Sequence, residues 1–114
     1  MKSPITTHIL DTSVGKPAAG IVVNLFRKDN EIGWEKIGSG TTNSDGRITD
    51  LLPPGPLQIA EYKIVFEVGP YFAKQAIDGF YPYVPIIFQI KETNEHYHVP
   101  LLLNPFGFST YRGS

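Results

Sequence analysis

Glycine and proline interrupt this chain at short, scattered intervals, and that punctuation limits the length of any helix or strand. The 114 residues include 11 glycines and 10 prolines. Between them lie runs rich in β-branched and aromatic residues, such as 5–12, 21–28 and 34–42. These residues favour strands, whereas glycine and proline favour turns. The pattern therefore predicts short strands joined by turns.

The segment "EYKIVFEV" at positions 61–68 has the clearest strand periodicity. Apart from Val65, its charged residues fall on one face and its apolar residues on the other. The apolar face consists of Tyr62, Ile64, Phe66 and Val68. A period of two with a single apolar face predicts a half-buried antiparallel strand.

The segment after this strand predicts a single short helix over 70–79. Pro70 suits the first turn of a helix, and Gly79 suits its end. Phe72, Ala73 and Ala76 share one face of that helix.

We expect the last two strands, 83–90 and 96–103, to form a hairpin. Proline has no backbone N–H and therefore removes a hydrogen bond from a sheet. Pro82, Pro85 and Pro100 accordingly predict that these strands lie at sheet edges or carry bulges.

Seven or eight short strands at regular spacing favour an all-β fold, an antiparallel β-sandwich of two sheets with one short helix. A closed barrel fits less well, because edges marked by proline need no closure. We expect one domain over 1–114, since this length can bury a core without disulfides and no linker or repeat is visible.

Composition excludes several classes of function. A net charge of -1 gives no electrostatic argument for nucleic acid or an anionic membrane as a partner. The absence of cysteine excludes thiolate nucleophiles and cysteine-ligated metals. The N-terminal "MKSPITTHIL" has no long apolar stretch, so we expect a soluble, cytoplasmic protein without a membrane partner.

Three histidines are the main candidates for chemistry. His96 and His98 leave one face of a predicted strand, opposite an apolar face that looks like core, so His98 should point away from the core. His8 lies within the first predicted strand. Solvated surface histidines are one reading of this set. A metal site with His8 as third ligand is another, disfavoured because no carboxylate is placed beside the pair.

Other patterns of catalytic residues are weak. No G-x-S-x-G motif is present, and "GSGTT" at 38–42 precedes a turn and not a helix, which disfavours phosphate binding. Arg47 follows a tight turn at 43–46 and has the character of a solvated cation. The residues alone leave the function undecided.

Four stretches resemble the 5-hydroxyisourate hydrolases, the enzymatic branch of the transthyretin family. They are "TTHILDTSVGKPA" (6–18), "TNSDGR" (42–47), "FYPYVPIIF" (80–88) and "HYHVPLLLNPFGFSTYRGS" (96–114). They occur in the family's order and span nearly the whole chain. The closing "YRGS" is the most specific mark. The hormone-carrying transthyretins lack this tail and the His/Arg/His set, so the resemblance favours the enzyme branch.

The resemblance implies a transthyretin-like two-sheet sandwich with one short helix, assembled as a homotetramer. Two monomers would pair by edge strands, and two dimers would pack face to face, with sites near the dimer–dimer interface. The implied reaction, in urate degradation, is hydrolysis of 5-hydroxyisourate to 2-oxo-4-hydroxy-4-carboxy-5-ureidoimidazoline. Water adds to a ring carbonyl and a C–N bond breaks, without a cofactor or metal.

Matched by position, the resemblance implies a site formed by His8, Arg47, His98, Tyr111 and Ser114. The hypothesis is that the two histidines share water activation and proton transfer, while Arg47 binds the ring and the oxyanion. Tyr111 would contact the substrate. Ser114 would offer its hydroxyl and the terminal carboxylate, within an ordered tail buried against a neighbouring subunit.

His96 matches no trusted family motif and is expected to be a surface residue. Two other functions stay open beside the hydrolase: a non-enzymatic carrier of small aromatic ligands, and a metal-dependent hydrolase that uses the His-x-His pair.

Overall fold

The computed structural model describes residues 3–114 as two β-sheets that pack face to face, with one short helix. The expected domain, 1–114, also includes residues 1 and 2, which lie outside the described residues. In chain order the elements are β1 (Ile5–Asp11), β2 (Lys16–Pro17), β3 (Val22–Asp29), β4 (Gly33–Thr41), β5 (Arg47–Ile48), β6 (Ala60–Phe66), α1 (Val68–Lys74), β7 (Val84–Ile90), β8 (Tyr97–Asn104) and β9 (Gly107–Thr110).

The first sheet has the strand order β2-β1-β8-β9, with β5 also paired to β1, and the second has the order β4-β3-β6-β7. This is the predicted two-sheet sandwich with one helix. All the pairs are antiparallel except β1 with β8, which is parallel, so the prediction of a purely antiparallel sandwich is wrong at this pair. A parallel pair needs a long connection, and the whole second sheet lies between these two strands in the sequence.

The core lies between the two sheets and follows the predicted alternation. Every second residue of β6, from Tyr62 to Phe66, is fully buried, and Val68 is also buried. The apolar face of β8 is buried too: Tyr97, Val99, Leu101 and Leu103. Full burial of one such side chain contributes about 1.5–3 kcal/mol. The opposite face of β8, which carries His98, therefore points away from the core.

The helix is present but begins and ends earlier than predicted. It covers Val68–Lys74 and not 70–79, so Val68 belongs to the helix and not to the preceding strand. The chain leaves the helix at Ala76, which has a φ of 57°. Ala76 N donates to Ala73 O and Ile77 N donates to Phe72 O. This is the pattern of an α-helix that ends at a residue in the left-handed conformation. Ala76 takes the position usually occupied by glycine, and Gly79 lies beyond it.

The predicted hairpin of the last two strands is wrong. β7 pairs with β6 in the second sheet, whereas β8 pairs with β1 and β9 in the first. The polar segment between them crosses from one sheet to the other. Its path is held by Tyr97, whose hydroxyl donates to Glu92 O at 2.9 Å, and by Leu57 N, which donates to Thr93 O. The actual final hairpin joins β8 to β9, a strand that the sequence did not predict.

The prolines divide between the two sheets. Pro85 lies in β7, an edge strand as predicted. Pro100 lies in β8, which has a neighbour on each side, so an edge position is wrong there. The ladder from β8 to β9 ends at Leu101 and Thr110 and resumes only at a single bridge between His98 and Gly113. The missing N–H of Pro100 therefore falls in a gap of the ladder.

Within the part of the chain that the structure describes, no helix is long and apolar enough to cross a bilayer.

Candidate active site

The outer face of the first sheet carries the candidate site. Along β1, Ile5 and Ile9 are buried on the core side, and His8 lies on the opposite face. The register places His8 opposite Arg47 of β5, and Thr6 opposite His98 of β8. Three strands therefore bring His8, Arg47 and His98 to one face.

Arg47 is positioned by the turn at 43–46. Asn43 Oδ1 accepts hydrogen bonds from the backbone N–H groups of Asp45 and Arg47, at 2.9 and 3.0 Å. Gly46 has a φ of 71°, and a Cβ at this position would meet Ile9 O at 2.5 Å. The turn thus lies directly against β1, and glycine is needed for both reasons. This close approach holds Arg47 beside His8.

The electrostatics of His8 favour its neutral form. Partial burial lowers the pKa of the His8 imidazole below its usual value, and the neighbouring Arg47 cation lowers it further. Asp45 acts in the opposite direction on this pKa, but more weakly. His8 therefore has a lone pair available for accepting a proton at neutral pH.

Thr6 contacts both histidines of the His-x-His pair. Its Oγ1 lies 2.9 Å from His98 Nδ1 and 3.0 Å from His96 Nε2. The two imidazole rings are roughly parallel, with centroids 6.5 Å apart. The predicted common face of these histidines is confirmed. His96 is exposed, as expected, yet it forms part of the same cluster.

The C-terminal tail lies along β8. Gly113 N donates to His98 O at 2.8 Å, and Thr110 Oγ1 donates to Pro100 O at 2.7 Å. Arg112 forms an ion pair with Glu95 at 2.8 Å, and its guanidinium lies 4.4 Å from the centre of the Tyr97 ring. These contacts hold the tail against the strand that carries His98.

A small cavity of about 80 Å³ lies where these elements meet, lined by Thr6, Thr7, Arg47, Thr49, His96, His98 and Ser114. It brings together Arg47, His98 and Ser114, with His8 next to Arg47 in the sheet. A larger depression, about 510 Å³, lies on the other side of His96 and contains none of the predicted site residues.

Tyr111 lies elsewhere in the single chain. It is 58% exposed and lines a separate groove of about 310 Å³ between β7 and the tail. The structure therefore does not bring Tyr111 to the cavity within one protomer. His96 and Thr6 are cavity residues that the site implied by the resemblance did not include; His96 was named only as a possible metal ligand. The spacing of His96 from His98 was the sequence signal available for His96, and no sequence signal marked Thr6.

Among residues 3–114, no group of three or more histidine, cysteine, aspartate or glutamate side chains is placed to hold a metal ion. The ring nitrogens His96 Nε2 and His98 Nδ1 both lie within hydrogen-bond distance of Thr6 Oγ1.

The sequence profile of the HIUase/Transthyretin family matches residues 5–113, which include every strand of both sheets and all of the candidate site except Ser114. The chain belongs to this family. A family member from Salmonella dublin, named 5-hydroxyisourate hydrolase, is 46% identical over 110 residues, or 96% of this chain and 80% of the relative.

Two solved structures of the HIUase/Transthyretin family superpose closely on this fold. The 5-hydroxyisourate hydrolase of Klebsiella pneumoniae is 36% identical and gives a TM-score of 0.83, with all of both chains covered. Sea bream transthyretin in complex with thyroxine is 28% identical and gives a TM-score of 0.91, covering 97% of this chain and 95% of the other. The fold is common to both branches of the family, so the side chains of the site must distinguish them.

Proposed function

We propose that this chain is a cofactor-free hydrolase that opens the six-membered ring of 5-hydroxyisourate to give 2-oxo-4-hydroxy-4-carboxy-5-ureidoimidazoline. The observation that carries the proposal is the convergence of Arg47, His98 and Ser114 on one cavity, with His8 beside Arg47. Among the solved structures, the higher identity to the 5-hydroxyisourate hydrolase, 36% against 28% for the transthyretin, supports the same choice.

The reaction needs three groups, and the cavity supplies each kind. Water must lose a proton as it attacks the ring carbonyl, which requires a base. The developing oxyanion needs a fixed positive group, and the leaving nitrogen needs a proton. His8 and His98 share the two proton transfers, and the planar guanidinium of Arg47 binds the oxyanion and the electron-rich ring. Ser114 supplies a hydroxyl or a carboxylate that orients a histidine.

A second protomer completes the site in this proposal. A cavity of about 80 Å³ is well below the roughly 300–1,000 Å³ that is usual for small-molecule sites. The outer face of the first sheet would therefore pack against another copy of the chain, within a homotetramer. Such packing would enclose the substrate, cover the exposed tail and bring Tyr111 of one protomer within reach of substrate.

The alternative is a carrier of small aromatic ligands. The similarity to a transthyretin solved with thyroxine favours it, since that structure gives the higher TM-score. A carrier has no need for two histidines and an arginine around one cavity, nor for a tail that pairs with one of them. We propose a cytoplasmic location for the hydrolase.

The decisive experiment follows the ultraviolet absorbance of freshly generated 5-hydroxyisourate with the wild type, with His98→Ala and with a chain that ends at Thr110. The wild type should accelerate the decay well beyond the spontaneous rate. Both variants should lose most of this acceleration, whereas Ser109→Ala, on the exposed part of β9, should keep it.

Decay at the spontaneous rate with the wild type would contradict the hydrolase and favour the carrier. Undiminished activity of His98→Ala would instead contradict the site. Activity that survives a chelator separates the proposal from a metal-dependent hydrolase.

A further inference from the structure

Two histidines share one hydroxyl at the edge of the cavity. Thr6 Oγ1 lies 2.9 Å from His98 Nδ1 and 3.0 Å from His96 Nε2. Thr6 is only 4% exposed, so its hydroxyl hydrogen must bind within the protein. His96 is exposed on one side of it, and His98 is partly buried on the other.

Counting hydrogens limits what the two imidazoles can do. A threonine hydroxyl has one hydrogen to donate and two lone pairs that accept. Thr6 can donate to one ring nitrogen only, so at least one of the two ring nitrogens must carry a proton and donate to Oγ1. If Thr6 donates to His98 Nδ1, the neutral His98 ring carries its proton on Nε2. If Thr6 donates to His96 Nε2, the proton of His98 is on Nδ1. The tautomers of the two histidines are therefore coupled.

We propose that Thr6 and His96 together hold neutral His98 in the Nδ1-protonated tautomer. In this arrangement His98 Nδ1 donates to Thr6 Oγ1, and the Thr6 hydroxyl donates to His96 Nε2. His98 Nε2 keeps its lone pair and is the ring atom that can take a proton from water. The direction rests on the proposed function, because a base at His98 requires an unprotonated ring nitrogen that does not already accept the Thr6 hydrogen.

The exposure of His96 is consistent with donation from the Thr6 hydroxyl to His96 Nε2. With its Nε2 accepting from Thr6, His96 carries its own proton on Nδ1, and an exposed ring can donate that hydrogen to solvent. His98 sits deeper, where the tail closes over it at Gly113. Thr6 and His96 are thus positioning residues that act through His98. An exposed histidine beyond the recognised set would control which nitrogen of His98 is reactive.

The direct test is the tautomer itself, read from ¹⁵N chemical shifts of the histidine rings in the full-length protein without substrate. Spectra recorded at about pH 8.5 report the neutral rings, since the usual histidine pKa is about 6.5. The chain has three histidines, so His98→Ala identifies the signals of His98. We expect His98 to be protonated on Nδ1 in the wild type and in Thr6→Ser.

Thr6→Val keeps the shape of the side chain and removes the hydroxyl, and His96→Ala removes the acceptor of its hydrogen. Both variants should shift His98 towards the Nε2-protonated form. In Thr6→Val no hydroxyl is left to accept from His98 Nδ1, and in His96→Ala the Thr6 hydroxyl becomes free to donate to His98 Nδ1. A wild type protonated on Nε2, or a His98 tautomer unchanged in both variants, would overturn the proposal. His96→Ala alters an exposed side chain and should fold even if Thr6→Val does not.

Kinetics give a second readout once hydrolysis is established. General acid–base catalysis contributes about 10²–10⁴-fold to rate, so kcat should fall on the order of tenfold or more in Thr6→Val and His96→Ala. KM should change little, because neither variant removes Arg47. Thr6→Ser should recover most of the rate. An inactive wild type would contradict the proposed function, whereas the ¹⁵N measurement would still decide the tautomer.

Discussion

Gly113 occupies the closest approach between the C-terminal tail and a candidate catalytic ring. A Cβ built at this position would lie 2.7 Å from His98 Cδ2 and 3.2 Å from Pro100 Cγ. Carbon atoms do not approach this closely without one of them moving, so Gly113→Ala must displace either the tail or the His98 ring. A misplacement of about 1 Å can cost on the order of 100-fold in rate. We expect kcat of Gly113→Ala to fall by about tenfold to 100-fold.

The matched control is Gly107→Ala, at the start of β9. Its nearest neighbour would be Asn104 Nδ2, at an ordinary contact distance of 3.6 Å. Thermal unfolding should be similar for the two variants. If the 5-hydroxyisourate assay finds both equally active, the tail does not constrain His98.

The charge of Arg47 sets part of the acid–base behaviour of His8. Burial is the larger cause of its lowered pKa and the Arg47 cation the second. Arg47→Gln should therefore raise the pKa of His8 towards its usual value without fully restoring it. An NMR titration of the His8 ring measures this change. Arg27→Gln, in the other sheet, serves as the control, and a His8 titration unaffected by Arg47→Gln would contradict the electrostatic account.

The lowered pKa of His8 also makes the stability of the fold depend on pH. Because the folded pKa of His8 lies below the unfolded value of about 6.5, the unfolded state binds more protons between the two values. The contribution of neutral His8 is fully present above about pH 6.5 and is lost as the pH falls through the folded pKa.

At the residue scale, the sequence predicted only those parts of the site that depend on local patterns. The spacing of His96 and His98 was enough to place both on one face. The predicted site residues came from local motifs around His8, Arg47, His98 and the tail. The role of Thr6 depends on pairing β1 with a strand about ninety positions later. No local pattern encodes that register.

At the scale of elements, a partly buried polar contact joins the helix to the first sheet. The Tyr71 hydroxyl of α1 donates to Asp11 Oδ2 at 2.8 Å, and the Asp11 side chain also accepts from Ser13. Burial and this hydrogen bond to Asp11 raise the pKa of Tyr71. The contact joins the end of β1 to the helix across 60 residues of chain.

Tyr71→Phe should lower the free energy of unfolding by about 1–3 kcal/mol, because it leaves a buried carboxylate oxygen without its donor. Urea unfolding measures the change. Tyr83→Phe, on a ring that is largely exposed, removes the same atom and should cost far less. Equal losses in the two variants would mean that the Asp11 contact contributes nothing to stability.

Elements were predictable where the signal was local. The alternation at 61–68 predicted the buried face of β6 because a period of two follows from backbone geometry. The hairpin of β7 and β8 failed because adjacency in sequence does not distinguish a turn from a crossing between sheets. The position of Pro100 in an inner strand depends on a ladder gap created by the tail, which lies outside its own strand.

At the scale of the whole molecule, the second sheet leaves an apolar edge strand open. β7 ends the order of that sheet, and Ile87 on it is 57% exposed. An open edge offers unpaired backbone groups for pairing with another chain. This edge is the one that we expect to join protomers within the proposed homotetramer.

Ile87→Glu should therefore shift the proposed homotetramer to smaller species, measured by light scattering after size-exclusion chromatography. Activity should fall in parallel, because in the proposed homotetramer the units that pack face to face to complete the site are dimers joined by this edge. Ile32→Glu is the control, because Ile32 is 65% exposed, somewhat more than Ile87, but lies in the turn between β3 and β4. A monomeric wild type with full activity would contradict the shared site.

The parallel pairing of β1 with β8 also has a consequence for how the protein is made. The ribosome synthesises β1 first, whereas β8, with which β1 pairs, follows only after some ninety further residues. Contacts this distant in sequence form slowly, because a long loop must close before they can stabilise anything. During synthesis, one edge of β1 therefore stays without its partner strand until β8 has been made. Thr6 meets His98 only after some ninety further residues have been made, so hydrolysis, as proposed, would report that this late pairing has formed.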